Sequence, residues 1–525
     1  MLMLLWVIFL CRWFRKSPPP GTRLPPAVPG ASLTGCKEMH KVDFYCTTAI
    51  KWANQYGPVY RLRQNHASIV ILNDFNSIKK FYSRKEFLNR SRFWLIQSHR
   101  FKGLGTMNGD AWKLNRRFCM NALRDYGMGK SYAMDDIVEE LQRACSQIAK
   151  VEGEPIGFYD YIMPCASNNI SAILWGRRFP HDHPARADIN CLVNGLLAAV
   201  RCSPIFHQYN PGFVTAIARR VPGTHINLVR RKEEKLDLYA YDRILEQKAM
   251  TEKDVNRDFV DAYLNKIRDS DDDSKAHFTV ETLVGVVTNF LLAGSSSVAS
   301  TIHWHMLKYA IEPDTLQARN TYFTLRNKFY KVVHGTVMGA SVPVTVTNIA
   351  MEEVHREIEE VIGRERRPVW EDRLRMPFTM ACIWEMNRWK TSTPLGVPRE
   401  ASEDAVVDDF FIPKGTVITA NFWAAHFDPK LWKDPHKFDP TRFLNEDGTL
   451  MARKPEFLLP FSYGKRSCPG EILASVEIFI GVTSLLQRFR VLPAGEMPFD
   501  INSPCIMSSH VQHLKLRFLE RRQNL

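Results

Sequence analysis

The 525 residues are 45% apolar and include 31 phenylalanines, ample for a large core; a length-only prior of about three domains finds no internal repeat or long linker to support it. A formal net charge of +14 would suit nucleic acid, yet lysines and arginines are scattered among 56 acidic residues and no nucleic-acid motif occurs. A membrane surface or an acidic protein partner fits the charge better. Eleven cysteines form no C-x-x-C pair and no regular framework, which fits thiols kept reduced on the cytosolic side.

In chain order, residues 1–16 begin with an apolar run from Met1 to Cys11, followed by Arg12, Arg15 and Lys16. The run is short for a span of about 20 residues, so an interfacial segment, a cleaved signal and a truncated gene remain alternatives to a short anchor. Charge after the run, and none before it, keeps the following domain cytosolic. Residues 17–30 are a proline-rich, stiff hinge, and residues 31–525 form the globular domain. Pro58 to Arg63 and Ala67 to Leu72 are β-branched runs across a polar turn, a hairpin signal. Gly103-Leu-Gly105 superficially suggests a dinucleotide loop, but the spacing is wrong and no strand precedes it, which excludes a nicotinamide site.

Trp112 and Arg116 stand at i,i+4 on a helix, so indole and guanidinium share one face; a plain surface helix is the alternative. Val280 to Thr301 is a long apolar helix interrupted by Ala293-Gly294-Ser295-Ser296-Ser297. Glu385 and Arg388 are one helical turn apart, and Pro440-Thr-Arg442-Phe443 follows. Phe461-Ser-Tyr-Gly464-Lys-Arg466-Ser-Cys468-Pro-Gly470 then reads F-x-x-G-x-R-x-C-x-G, a glycine-bearing loop that presents one thiol. A buried structural cysteine is the plain reading for the ten other cysteines.

These motifs, in this order, resemble the cytochrome P450 family, specifically its microsomal animal type. The resemblance implies a mainly helical fold with a smaller β-rich subdomain. It implies haem b ligated by the Cys468 thiolate, with peptide N–H groups near Gly464 and Gly470 holding the sulfur charged and Phe461 beside the cofactor. Arg466, Trp112, Arg116 and Arg399 would hold propionates, Arg466 with a bidentate contact. Glu385, Arg388 and Arg442 would form a structural triad bracing the loop. Ala293 and Gly294 match the small pair that leaves room for oxygen. The family pattern A-G-x-[D/E]-T reads here Ala293-Gly294-Ser295-Ser296-Ser297, so Ser297 takes the place of the threonine hydroxyl donor and Ser296 that of an acid. Hydroxyls bonded back to helix carbonyls are the packing alternative. Leu395, Val397 and the turn from Asn502 to Ser509 would line the substrate cavity.

Related chains run directly from the helix near Leu316 into the helix at Glu352. Here residues 318–351 intervene, with no Asp or Glu and a β-prone Val/Thr run at the end. Deleting them restores an apolar stripe from Leu316 through Val354 and Ile358, so the segment reads as an insertion or as translated intron. The implied activity is NADPH-driven monooxygenation of a steroid, fatty acid or xenobiotic at the endoplasmic reticulum membrane, with the domain facing the cytosol. The chain has no NADPH module, so an NADPH-dependent reductase would supply electrons, with cytochrome b5 as an assisting partner. Because an acid is missing at Ser296, a haem-thiolate isomerase or dehydratase acting on a peroxide is an alternative. A catalytically defective haem binder is another.

Overall fold

The computed structural model describes residues 17–29, 36–64, 67–91, 101–126, 131–180, 182–201, 217–250, 252, 255–270, 275–311, 323–325, 328–330, 346–501, 503, 506 and 511–521. The first elements are α1 (Thr48–Tyr56), β1 (Val59–Gln64), β2 (Ala67–Leu72), α2 (Phe75–Tyr82), β3 (Asn89–Arg90), α3 (Gly109–Asp125) and α4 (Ser131–Ala149). β4 (Ile156–Gly157), α5 (Tyr159–Trp175), α6 (Pro184–Arg201), α7 (His225–Met250), α8 (Phe259–Arg268) and α9 (Val280–Ile311) follow. Next come β5 (Phe323–Leu325), β6 (Lys328–Tyr330), α10 (Val346–Glu357), α11 (Pro377–Trp389), β7 (Arg399–Glu400), β8 (Ala405–Val407), β9 (Phe410–Ile412) and β10 (Val417–Ala420). α12 (Glu471–Arg488), β11 (Phe489–Pro493) and β12 (Lys515–Glu520) close the described chain.

The expected hairpin is present: β1 and β2 pair antiparallel from Val59 opposite Leu72 to Gln64 opposite Ala67. It is one side of a five-stranded sheet ordered β1-β2-β10-β7-β3, in which β10 joins β2 in parallel. The last pairing sets Arg90 directly opposite Arg399, two like charges facing each other across the sheet. The described part of the proline-rich hinge turns at Gly21, where the Thr22 N–H donates to the Pro19 carbonyl at 3.1 Å, and is then docked. The Arg23 N–H donates to the Asp409 carbonyl at 2.8 Å, and the Arg61 N–H donates to the Pro26 carbonyl at 2.8 Å. Residues 1–16 lie outside the described residues.

Helix α9 is apolar on nearly every face because it runs through the middle of the helical layer, packed by α5, α7 and α12. By length and hydropathy it would also cross a membrane, but 67% of its apolar window is buried inside the domain. The loop before α3 lies directly on α9. A side chain at Gly103 would come within 2.0 Å of the Gly285 carbonyl oxygen, and the Gly105 N–H donates to Asn289 Oδ1 at 2.8 Å. Close backbone packing thus accounts for the glycines of this loop.

Of residues 318–351, only 323–325, 328–330 and 346–351 are described; Leu316, on which the restored stripe begins, is not. The Val/Thr run reads as β-prone, yet its last residues, Val346 and Thr347, start α10. That helix continues through a π-helical turn at Ile358–Ile362. It packs Met351, Val354, Ile358 and Ile362 into the core, so burial overrides local propensity there.

Helices α5 and α12 are joined by a buried polar contact. Asn169 Nδ2 donates to Glu477 Oε1 at 2.7 Å, the one hydrogen bond to the carboxyl among the described residues. Burial pushes the Glu477 carboxyl up to about 8, with the Asn169 bond opposing. The folded protein therefore holds this proton where an unfolded chain has lost it. Stability from this group is complete below its unfolded value near 4.5 and falls as pH rises toward about 8. Glu477→Gln should match the parent at about pH 5 and exceed it by on the order of 2–5 kcal/mol above pH 8. Thermal unfolding of both proteins across that range checks this; parallel pH profiles would contradict it.

Candidate active site

The loop before α12 is shaped by two backbone constraints. Gly464 has φ +73°, and a side chain there would meet the Tyr82 carbonyl oxygen at 2.5 Å, so only glycine fits. The Cys468 N–H donates to the Phe461 carbonyl at 2.8 Å and the Ser467 N–H to Gly464 at 2.9 Å, closing the loop under the thiol. Around Gly470, the Cys468 sulfur is the one heavy atom that an added side chain would meet, at 3.9 Å. Cys468 is exposed to an open recess. Surrounding protein nevertheless pushes its thiol up, outweighing the Gly470 N–H and Arg116, which favour the thiolate. Of the peptide N–H groups expected to hold the sulfur charged, that of Gly470 acts in that direction, and burial outweighs it. A metal ion held by this sulfur would supply the remaining charge stabilisation.

Arg466 differs from its expected use. Its Nε donates to the Leu88 carbonyl at 2.8 Å, Nη1 to Leu104 at 3.1 Å, and Nη2 to Met107 at 2.5 Å and to Asn108 Oδ1 at 3.2 Å. Its guanidinium also lies 3.8 Å over the Trp112 ring. The fork that would grip a carboxylate is thereby committed to main chain, and Arg466 clamps the cysteine loop to the segment before α3. Trp112, buried beneath it, is the stacking platform for this clamp.

Three other arginines keep donors available. Arg116 gives one bond, from Nη2 to the Ser467 carbonyl at 2.7 Å. Arg399 donates to the Tyr82 and Tyr463 carbonyls at 3.1 and 2.8 Å and stacks 3.5 Å over the Tyr82 ring. Arg90 donates to the Val397 carbonyl at 3.0 Å. The buried Nε atoms of Arg90 and Arg399 have no partner, and none of the four guanidiniums forms an ion pair among the described residues. Burial pushes Arg466 down to about 8, Arg399 to about 9 and Arg90 to about 10, and the cations repel one another further. Such a cluster is unfavourable by itself and fits a group bearing two carboxylates. Beside an open thiol, these residues match haem with its two propionates. Arg90 was not legible as a member; its only sequence signal is an arginine in a two-residue strand.

On α9, Ala293 and Ser297 are exposed, and apart from Glu281 near the start no other residue of the helix is. One turn apart, they leave an opening on one face of an otherwise buried helix. Gly294 faces elsewhere: a side chain there would meet Ile170 of α5 at 3.3 Å, so it serves helix packing rather than the opening. Ser296 is buried and accepts a hydrogen bond from the Tyr159 hydroxyl at 3.0 Å, directed toward α5 and away from Ser297. Ser297 Oγ donates to the Ala293 carbonyl at 2.7 Å.

The triad residues meet. Arg388 donates to both Glu385 oxygens at 2.7 Å, both residues being fully buried, and Arg442 Nε reaches Glu385 Oε1 at 3.3 Å. The route to the loop passes through His426, which the sequence did not single out. Arg388 Nη1 donates to the His426 carbonyl at 2.7 Å, and the Leu459 N–H donates to His426 Nε2 at 2.7 Å, just before Phe461. Nδ1 is then the protonated nitrogen and faces Thr391 Oγ1 at 2.6 Å. Leu395 and Val397 are half-buried on the segment leading into β7. Most of the turn from Asn502 to Ser509 lies outside the described residues.

The sequence matches the family model for Cytochrome P450 over residues 18–319 and 349–517. It is 30% identical over 461 residues to cytochrome P450 2H1 of Gallus gallus, covering 87% of this chain and 85% of the relative. It is 29% identical over 484 residues to cytochrome P450 2C23 of Rattus norvegicus (91% and 89%) and 28% over 504 residues to cytochrome P450 2F1 of Homo sapiens (95% and 94%). With the arginine cluster, the open thiol and the gap in α9 in place, these likenesses mean that the chain belongs to the cytochrome P450 family, as a monooxygenase that carries haem b.

Proposed function

We propose that the chain inserts one oxygen atom from O2 into a lipophilic small molecule, of the steroid, fatty acid or xenobiotic class. Its electrons come from NADPH through a separate reductase, with cytochrome b5 as an assisting donor. The observation that carries this reading is the opening at Ala293 and Ser297 on α9, a place in the core where a small reactant and a hydroxyl can meet. Haem held by Cys468 would supply the O–O bond cleavage that thiolate donation favours, as is general for this family.

The residues of the chain divide the work. Arg90, Arg116 and Arg399 hold the carboxylates, and Arg466 with Trp112 fixes the loop that carries Cys468. Ser297 releases its bond to Ala293 by rotating about χ1 and then donates a hydrogen bond into the opening. Ser296 faces α5, where it accepts from the Tyr159 hydroxyl, so its side chain is turned away from the opening at Ser297. Leu395 and Val397, half-exposed, give the approach an apolar surface. Residues 1–16 act as an anchor in the endoplasmic reticulum membrane, with the domain facing the cytosol. The docking of residues 23–28 on the sheet supports a short, stiff connection.

Reconstitution with reductase and NADPH in lipid vesicles should give oxygen-dependent product formation from lipophilic substrates. Turnover of a hydroperoxide without reductase, and no NADPH-dependent product, would overturn this reading. Within the same assay Ser297→Ala should raise peroxide release per NADPH consumed severalfold, while Ser297→Thr should keep or improve coupling. Equal coupling in the parent and both variants would return Ser297 to helix packing.

We also read residues 318–351, of which the family match skips 320–348, as an insertion into an otherwise ordinary chain. Its deletion should raise haem incorporation and soluble yield without moving the thiolate band of the reduced carbon monoxide complex. Loss of haem from the deletion variant would make the segment an integral part of the fold.

A further inference from the structure

On the side of the molecule where α12 leaves the cysteine loop, a half-open cleft of about 520 Å³ lies between α11, the start of α12 and the 3-10 helix Trp370–Arg375. This volume is within the ordinary range of small-molecule sites, about 300–1,000 Å³. Its walls are Trp370, Trp384, Met380 and Met451. The aromatic walls are fixed from behind: Trp384 packs edge-on against Phe443 at 5.7 Å and Trp370 against Phe479 at 5.6 Å. The cleft is therefore preformed rather than a gap between loose side chains. At its rim two large apolar side chains face solvent, Leu374 at 75% and Ile472 at 52% exposure.

The charges around it do not balance. Lys454 is paired with Glu471 at 3.0 Å. Arg373 stacks 4.2 Å over Trp370 and donates to its carbonyl at 2.7 Å, but it forms no ion pair among the described residues. The nearby acid Asp372 is already shared by Arg366 at 2.8 Å and Arg375 at 3.4 Å, and Glu371 acts on Arg373 only at a distance. Three charged residues line the cleft, two positive and one negative, which leaves one uncompensated cation beside an aromatic and thioether-rich surface.

We propose that this cleft is a second ligand site that binds a lipophilic carboxylate of the fatty acid class. The apolar chain lies on Met380, Trp384 and Ile472, and the carboxylate meets Arg373. A single anionic head satisfies the single free cation, and the chain covers the exposed Leu374 and Ile472. This inference is independent of which substrate the haem site oxidises. Its occupant would rest against Ile472, four residues after Cys468, on the first turn of the helix that follows the cysteine loop.

The test uses the holoprotein with its iron saturated by an azole, so that the haem-side cavity is closed to the probe. Dansylaminoundecanoate and its methyl ester are titrated in, and energy transfer from tryptophan to dansyl is read. One equivalent of the acid should bind. Arg373→Gln should weaken the acid about tenfold, the worth of one charge-assisted hydrogen bond, while leaving the ester unchanged. Ile472→Trp, which fills the open rim, should abolish both. Each variant must keep the thiolate band of the reduced carbon monoxide complex, which shows the fold intact. Absence of binding in the azole-loaded protein, or equal acid affinity in the parent and both variants, overturns the proposal. So does a result in which the probe does not bind but Ile472→Trp raises the KM for reductase, since the cleft would then belong to a protein partner.

Discussion

Four guanidiniums gathered with no acid paired to them among the described residues are the constraint on which the rest of the structure depends. Arg90 and Arg399 face each other across the last pairing of the sheet, Arg116 rises from α3, and Arg466 comes from the cysteine loop. Each belongs to a different element, so the cluster also joins sheet, helix and loop. Main-chain carbonyls and the Tyr82 and Trp112 rings hold the cations in place, but neither neutralises them. Repulsion among buried cations costs stability, so a group that brought two carboxylates to them would stabilise the fold as it bound.

The contrast with Arg388 makes the point. Arg388 is buried as deeply, yet its fork is filled by Glu385 and by three carbonyls, those of His426, Pro435 and Lys437. Arg388 and Arg466 are structural braces, whereas Arg90, Arg116 and Arg399 keep donors for an anionic group. His426 links the two regions, taking the Leu459 N–H on its ring while its carbonyl receives Arg388. Breaking such a buried pair on one side leaves an uncompensated charge, which typically costs about 3–5 kcal/mol.

Local spacing made much of this legible. The cysteine loop, the i,i+3 pair Glu385 and Arg388, and the hairpin are written in short stretches whose geometry hardly depends on distant contacts. What sequence could not show was direction. Adjacent residues on a helix point about 100° apart, so Ser296 and Ser297 serve different surfaces, as do Ala293 and Gly294, although each pair reads as a unit. Arg466 sits where a propionate ligand is expected, but carbonyls of a segment some 360 residues away take its donors, a pairing that no local pattern encodes. Arg90 and His426 were missed for the same reason: a two-residue strand and the short helix Phe422–His426 carry too little periodicity to mark their side chains. Val346 and Thr347 misled in the other direction, since β-branched residues entered a helix whose next turns are buried.

The central claim is that Cys468 gives its thiolate to haem in a recess whose arginines hold the propionates. The carbon monoxide difference spectrum of the reduced protein tests it most directly, comparing the parent with Cys468→Ala. The parent should show the thiolate-type band and the variant should lose it completely, because no other described sulfur stands in such a loop. A variant that kept the band would place the ligand elsewhere and remove the basis of the assignment.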